Sequence, residues 1–153
     1  MAALKDAVTH AAMGMLLGLS SWSTMAANQD FSGRWSADLR TRAQRASKLD
    51  CGAVSLVLDQ QGDRITGSYT FASVGCGRVN EGRDGSVKGV AKGSTAVLVI
   101  TSARNGAMVL GTATRRGKWL QWNTVEELTP GQPQGDTLIL DQGTLAQDVA
   151  GTP

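Results

Sequence analysis

The residue types that carry most protein chemistry are scarce in this chain of 153 residues. It has one histidine, His10, and two cysteines, Cys51 and Cys76. The cysteines stand 25 positions apart, with neither a CxxC spacing nor further ligands beside them. That pattern does not serve a redox or zinc site. Two cysteines allow a single pairing, so Cys51 and Cys76 are expected to form one structural disulfide. Closing a loop of this size stabilises a fold by roughly 3 kcal/mol in the chain-entropy account.

The carboxylates are equally unpromising as catalysts. Asp59 and Asp63 flank a turn, where Asp is common for conformational reasons. Glu126 and Glu127 are adjacent on a predicted strand and so point to opposite faces. Neither pair has the arrangement of a hydrolytic dyad. No phosphate loop, GxGxxG fingerprint or DxDxDG calcium loop occurs. His10 lies in a segment expected to be removed, which leaves no histidine for a Ser-His-Asp or Cys-His site. The expectation is a protein that is not an enzyme and uses no cofactor and no metal. A formal net charge of +2 gives no electrostatic footprint for nucleic acid.

What remains is binding. Aromatic residues after the first thirty positions are few: Phe31, Trp35, Tyr69, Phe71, Trp119 and Trp122. Trp35, Tyr69, Phe71 and Trp122 are the candidate lining of a ligand cavity, with core packing as the plainer role for Trp35 and Tyr69. Trp119 and Trp122 are three apart in one strand and face opposite ways, so one is core and the other faces out. An outward tryptophan beside Arg115, Arg116 and Lys118 suits a partner contact. A second candidate is basic. Leu39–Asp50 (LRTRAQRASKLD) spaces Leu39, Ala43, Ala46 and Leu49 as a helical stripe. Arg40, Arg42, Arg45 and Lys48 lie off that stripe. They form either a solvated face or a patch for an anionic partner, helped by Arg78 and Arg83 if these share its end.

These side chains need a frame, and the frame is β. From Phe31 onward apolar residues recur with period two. Strands are predicted at 33–39, 53–59, 64–72, 85–91, 95–101, 107–115, 118–126 and 137–140. Short connections rich in Gly, Asn and Asp force antiparallel neighbours. Ala96–Ile100 (AVLVI) is apolar on both faces, which predicts cover on both sides or a contact surface. A turn glycine followed by a strand glycine recurs in Gly62-DRIT-Gly67, Gly85-SVK-Gly89 and Gly106-AMVL-Gly111. Glycine inside strands marks bending, and repeated bends close a meander. The expected fold is all-β: a small eight-stranded antiparallel up-and-down barrel with one disulfide, with a β-sandwich as the alternative.

Residues 1–27 read as a secretory signal peptide. Lys5 precedes the apolar run Ala11–Leu19 (AAMGMLLGL), and SSWSTMAA offers a cut after Ala26. Nine apolar residues fall far short of the roughly 20 that span a bilayer, so no membrane span is expected. Export to the periplasm or beyond fits a disulfide. The domain plan is therefore 1–27 removed, 28–140 barrel and 141–153 a weakly ordered tail.

Phe31-Ser32-Gly33-Arg34-Trp35 resembles the Gly-x-Trp opening of calycin-type barrels, the lipocalins, avidins and bacterial metalloprotease inhibitors. Gly62-DRIT-Gly67-Ser-Tyr69 is similar to the second strand of avidins. The resemblance implies a tryptophan packed across one barrel end. Avidins place a biotin-binding asparagine two residues after that tryptophan, where this chain has Ala37. Lipocalins stack a late arginine on it, a role for which Arg115 or Arg116 is available. The inhibitors share the exported small barrel with one disulfide. Their N-terminal trunk has only Ala27–Asp30 as a counterpart here, and Arg40–Lys48 is an insertion. The functional expectation is a binding module of the cell envelope for an unidentified small ligand. The alternative is a protein-interaction barrel such as a periplasmic protease inhibitor.

Overall fold

The computed structural model describes residues 29–132 and 138–148. Eight strands follow in chain order: β1 Gly33–Asp38, β2 Cys51–Gln61, β3 Arg64–Val74, β4 Val79–Lys92, β5 Thr95–Thr101, β6 Met108–Arg116, β7 Trp119–Thr129 and β8 Gln142–Gln147. One short helix, α1 Arg42–Ala46, lies between β1 and β2. Each strand pairs with its sequence neighbour, and β8 returns to β1, so the sheet closes as an up-and-down barrel. All the pairings are antiparallel. The sandwich alternative gives way to this closure.

Period two sets the two faces of the wall. Val54, Leu56 and Leu58 of β2, Ile65, Tyr69 and Phe71 of β3, and Leu120 and Trp122 of β7 are buried inside. The strand glycines act where backbones or rings approach closely. A Cβ on Gly67 would lie 2.1 Å from the Val57 carbonyl oxygen, and one on Gly111 would lie 2.2 Å from the Trp122 ring. Both contacts are far inside van der Waals distance, so only glycine lets the wall bend there.

Three element boundaries correct the sequence reading. β4 starts at Val79, so the expected 73–84 connection shrinks to a tight loop between Val74 and Val79. Asn80 and Gly82 face inward there, and polar or small inward residues hide the strand period. The last strand among the described residues is Gln142–Gln147, in part of the segment expected to be a loose tail; of the expected strand 137–140, Leu138, Ile139 and Leu140 are not paired as a strand and Thr137 lies outside the described residues. The inward side of β8 carries Leu145 as the sole large apolar residue, which weakens the pattern. Leu138 and Ile139 are instead buried as core. Finally, α1 runs for five residues and buries none of them. Of the expected stripe, Leu39 alone packs partly against the core, while Leu49 is exposed.

Candidate functional site

The four aromatic candidates all lie inside the barrel. Trp35 and Trp122 are fully buried, Tyr69 is 1% exposed and Phe71 is 6% exposed. They sit at different levels. Trp35 closes one end: its Nε1–H donates to the Phe31 carbonyl at 2.8 Å. The Arg115 guanidinium lies 5.3 Å from the centre of its ring, within cation–π range. Of the two arginines expected to be available for such a stack, Arg115 makes it. Arg116 is exposed.

Trp122 anchors the opposite end. Its Nε1–H donates to the Leu140 carbonyl at 2.9 Å and to Thr124 Oγ1 at 3.1 Å. Leu138 and Ile139, just before Leu140, are 4% and 3% exposed and join the core cluster. Leu138, Ile139 and Leu140 of the segment read from sequence as a strand thus pack into or against the core.

Tyr69 belongs to a polar network that the sequence did not announce. Its hydroxyl donates to Asn80 Oδ1 at 2.9 Å. The same oxygen accepts from Ser102 Oγ at 2.7 Å and from the Glu81 amide at 2.9 Å. Ser102 Oγ in turn accepts the Arg104 and Asn105 amides. Asn80 and Ser102 are the buried polar side chains of the described core. The hub ties β3, β4 and the β5–β6 turn together. Burial pushes the Tyr69 phenol above its ordinary range. The polar tips of Trp35, Tyr69 and Trp122 are therefore satisfied by the protein itself. Trp35, Tyr69, Phe71 and Trp122 all belong to the cluster of buried hydrophobic side chains.

The basic segment divides in two. Arg40 holds Asp38 in a two-pronged pair, Nε to Oδ1 at 2.9 Å and Nη2 to Oδ2 at 3.0 Å. It also donates to the Leu49 carbonyl at 3.1 Å. Its stem lies over Gly52, where a Cβ would meet it at 2.6 Å. Arg45 reaches Asp38 at 3.7 Å. The Arg40 bonds hold the Asp38 carboxyl at about 2, below the usual carboxylate range. Arg40 and Arg45 thus fold the loop. Arg42 and Lys48 are exposed and make no ion pair with a described residue.

The same end carries the Cys51–Cys76 disulfide. Gly75 donates to the Asp50 carbonyl at 2.9 Å, so the β3–β4 loop, with Arg78, lies beside the α1 connection. Arg83 does not join that end. It lies in Arg83–Ser86, which bulges out of the β3–β4 ladder between the pairs Gly67–Val87 and Tyr69–Gly82. A groove of about 680 Å³ runs beside this bulge, with Lys88, Val90, Val99 and Met108 among its walls.

The two nearby tryptophans divide as expected. Trp122 is fully buried, while Trp119 is 55% exposed. The outer face of β5 also answers the two-sided apolar run: Val97 is 42% exposed, and its neighbour Val90 on β4 is 53% exposed. The expected signal peptide, its expected cleavage site and any N-terminal trunk before Gln29 fall outside the described residues. No helix among the described residues is long and apolar enough to cross a membrane. The closed eight-stranded barrel is compatible with a calycin-like architecture. No protein-family model, no curated protein and no solved structure matches the chain.

Proposed function

We propose that this protein is an exported, non-enzymatic barrel that binds through its outer surface and not through an internal cavity. One observation supports the reading: the inward aromatic side chains are buried, and those with polar atoms are hydrogen-bonded within the protein. Both buried tryptophans and Tyr69 spend their polar atoms on the protein's own groups. Leu138 and Ile139 complete the packing. A ligand inside would have to displace that core at a cost of several kcal/mol.

The end that carries the disulfide is the surface offered to a protein partner. Its helix buries nothing, so core packing does not explain its order. A capping box of Thr41 and Gln44, the Asp38–Arg40 pair and the disulfide hold it instead. Pre-organisation of this kind lowers the entropy lost on binding. Arg42 and Lys48 then present free positive charge to an acidic partner. The finer kinship offered here is with calycin barrels that work by protein contact, as the metalloprotease inhibitors do. Gly33-x-Trp35 and the Arg115 stack support the calycin-like kinship in general, and the pre-organised basic end favours the type that works by protein contact.

Native mass spectrometry of the chain, expressed with its own first 27 residues and recovered from the periplasm, tests the reading. The expected species is a cleaved, oxidised protein with no added mass. A stoichiometric small molecule released on activation would overturn the exterior mode. An uncleaved chain with free thiols would overturn export.

A further inference from the structure

The outer wall from β4 to β7 has a pattern of its own. Ladder pairing aligns Lys88, Val99, Leu110 and Glu126 in one row across β4, β5, β6 and β7. The adjacent row is Val90, Val97, Thr112 and Asn123. The row after that is Lys92, Thr95, Thr114 and Gln121. Residues on either side of these rows, such as Val87, Leu98 and Val109, are buried, so the rows face outward. The face thus has an apolar centre at Val90, Val97, Val99 and Leu110 with threonines beside it on β5 and β6, lysines on β4, and Glu126, Asn123 and Gln121 on β7. Lys88 and Glu126 are exposed and form no ion pair with a described residue.

We propose that this face binds a second copy of the chain about a two-fold axis that runs parallel to the strands between β5 and β6. Such an axis turns every row onto itself. Val99 of one copy then meets Leu110 of the other, and Val97 meets Thr112. Lys88 lies on the side of the partner's Glu126, and Lys92 on the side of the partner's Gln121 and Trp119. The arrangement is isologous and closes at two. A two-fold axis across the strands sets the β4 lysines of both copies against each other, which is unfavourable. The charge layout therefore selects one of the two face-to-face dimers.

Size sets the strength. Four strands about 4.8 Å apart and three to four outward rows about 6.8 Å apart cover roughly 400 Å². A standard stable interface needs about 800 Å² per partner. The dimer is therefore concentration-dependent, with a Kd on the order of 10–100 µM. On a convex wall β4 and β7 fall away from the contact line. Val97, Val99 and Leu110 carry the contact, while Lys88 and Glu126 orient it.

The inference takes its site from the outer-surface reading, yet the two fail separately. A ligand found inside the barrel sinks that reading and leaves this face untouched. Self-association is followed by sedimentation equilibrium of the protein as recovered from its host, at low salt, from about 1 to 500 µM, a range chosen to bracket the expected Kd. A monomer–dimer equilibrium is expected. Val97→Arg should raise the Kd at least about tenfold while the thermal melt stays unchanged, because Val97 is already exposed. Lys88→Glu and Glu126→Lys should each raise it about threefold, and the two together should restore it. A protein that stays monomeric throughout overturns the proposal. So does a series of larger oligomers, because a two-fold face closes at two. A double charge swap that fails to restore association overturns the axis chosen here.

Discussion

Asn80 is the residue on which the interior turns. Its Oδ1 accepts three hydrogen bonds, from Tyr69, Ser102 and the Glu81 amide. Removing it strands two buried hydroxyls, and unsatisfied buried polar groups cost about 1–3 kcal/mol each. Asn80→Ala is expected to lower the unfolding free energy by about 2–4 kcal/mol in urea titrations. Tyr69→Phe removes one donor of three and should cost about 0.5–1.5 kcal/mol. A loss for Asn80→Ala no larger than that for Tyr69→Phe would show that the hub is not the anchor. The phenol also carries a pH signature. Its folded pKa is raised by burial, so the neutral form is favoured in the folded state. The stability it contributes is full below its unfolded pKa near 10 and is lost as the pH rises beyond it. Alkaline melts of the wild type should fall across that window, and those of Tyr69→Phe should fall less.

At the scale of elements, the loop from Asp38 to Cys51 is the clearest case of structure built without a core. Asp38 receives Arg40 on both oxygens and Arg45 nearby. Its pKa is depressed to about 2, so its contribution is present above the unfolded value of 3.8 and is lost as the pH falls towards 2. Carboxylate chemical shifts in an NMR titration should place the Asp38 midpoint near 2 in the wild type. The Arg40→Gln variant should return it toward 3.8. An unmoved midpoint would mean that Arg40 is not the cause. The Cys51→Ser/Cys76→Ser double variant should lose roughly 3 kcal/mol against urea.

The same scale shows what a sequence can display. Seven of the eight strands were legible in whole or in part because apolar residues recur along them with period two, as in Val54, Leu56 and Leu58. β8 was not, because QGTLAQ offers Leu145 alone to the core. Leu138–Leu140 passed for a strand because a buried apolar run looks alike whether it pairs or merely packs. The aromatic candidates were correctly placed inside. What they do there was not legible, because their use depends on Asn80 and on the Leu140 carbonyl, and neither has a sequence pattern. The basic segment shows the same dependence on partners outside the pattern. Its four cations were read alike, as a solvated face or a patch for an anionic partner, and Asp38 takes two of them.

Across the whole molecule, the barrel is a chain of local hairpins closed by one distant seam. Each neighbour pair from β1–β2 through β6–β7 shares at least six aligned residue pairs, whereas β1–β8 shares Trp35–Gln147 and Ser36–Ala146 alone. The seam is reinforced at its edge by Ser36 Oγ donating to Asp148 Oδ1 at 2.6 Å and by the Asp148 amide donating to the Arg34 carbonyl at 2.8 Å. Hairpin contacts form early because their loops are short, and the seam must join residues 112 apart in sequence. It is therefore the last contact to form and the first to open. Hydrogen exchange should show β8 and the seam-facing amides of β1 exchanging well before β2, β3 and β6, through a sub-global opening. Ser36→Ala should speed exchange in β8 selectively, by about threefold to tenfold for the loss of about 1 kcal/mol from a single hydrogen bond. Its effect on the midpoint of thermal unfolding should be small, because the rest of the wall remains paired. Uniform protection across β1 to β8 would contradict this order. It would mean that the two-pair seam is as strong as the hairpins, with the buried Leu145 and Trp35 side chains, and not the ladder, setting its strength.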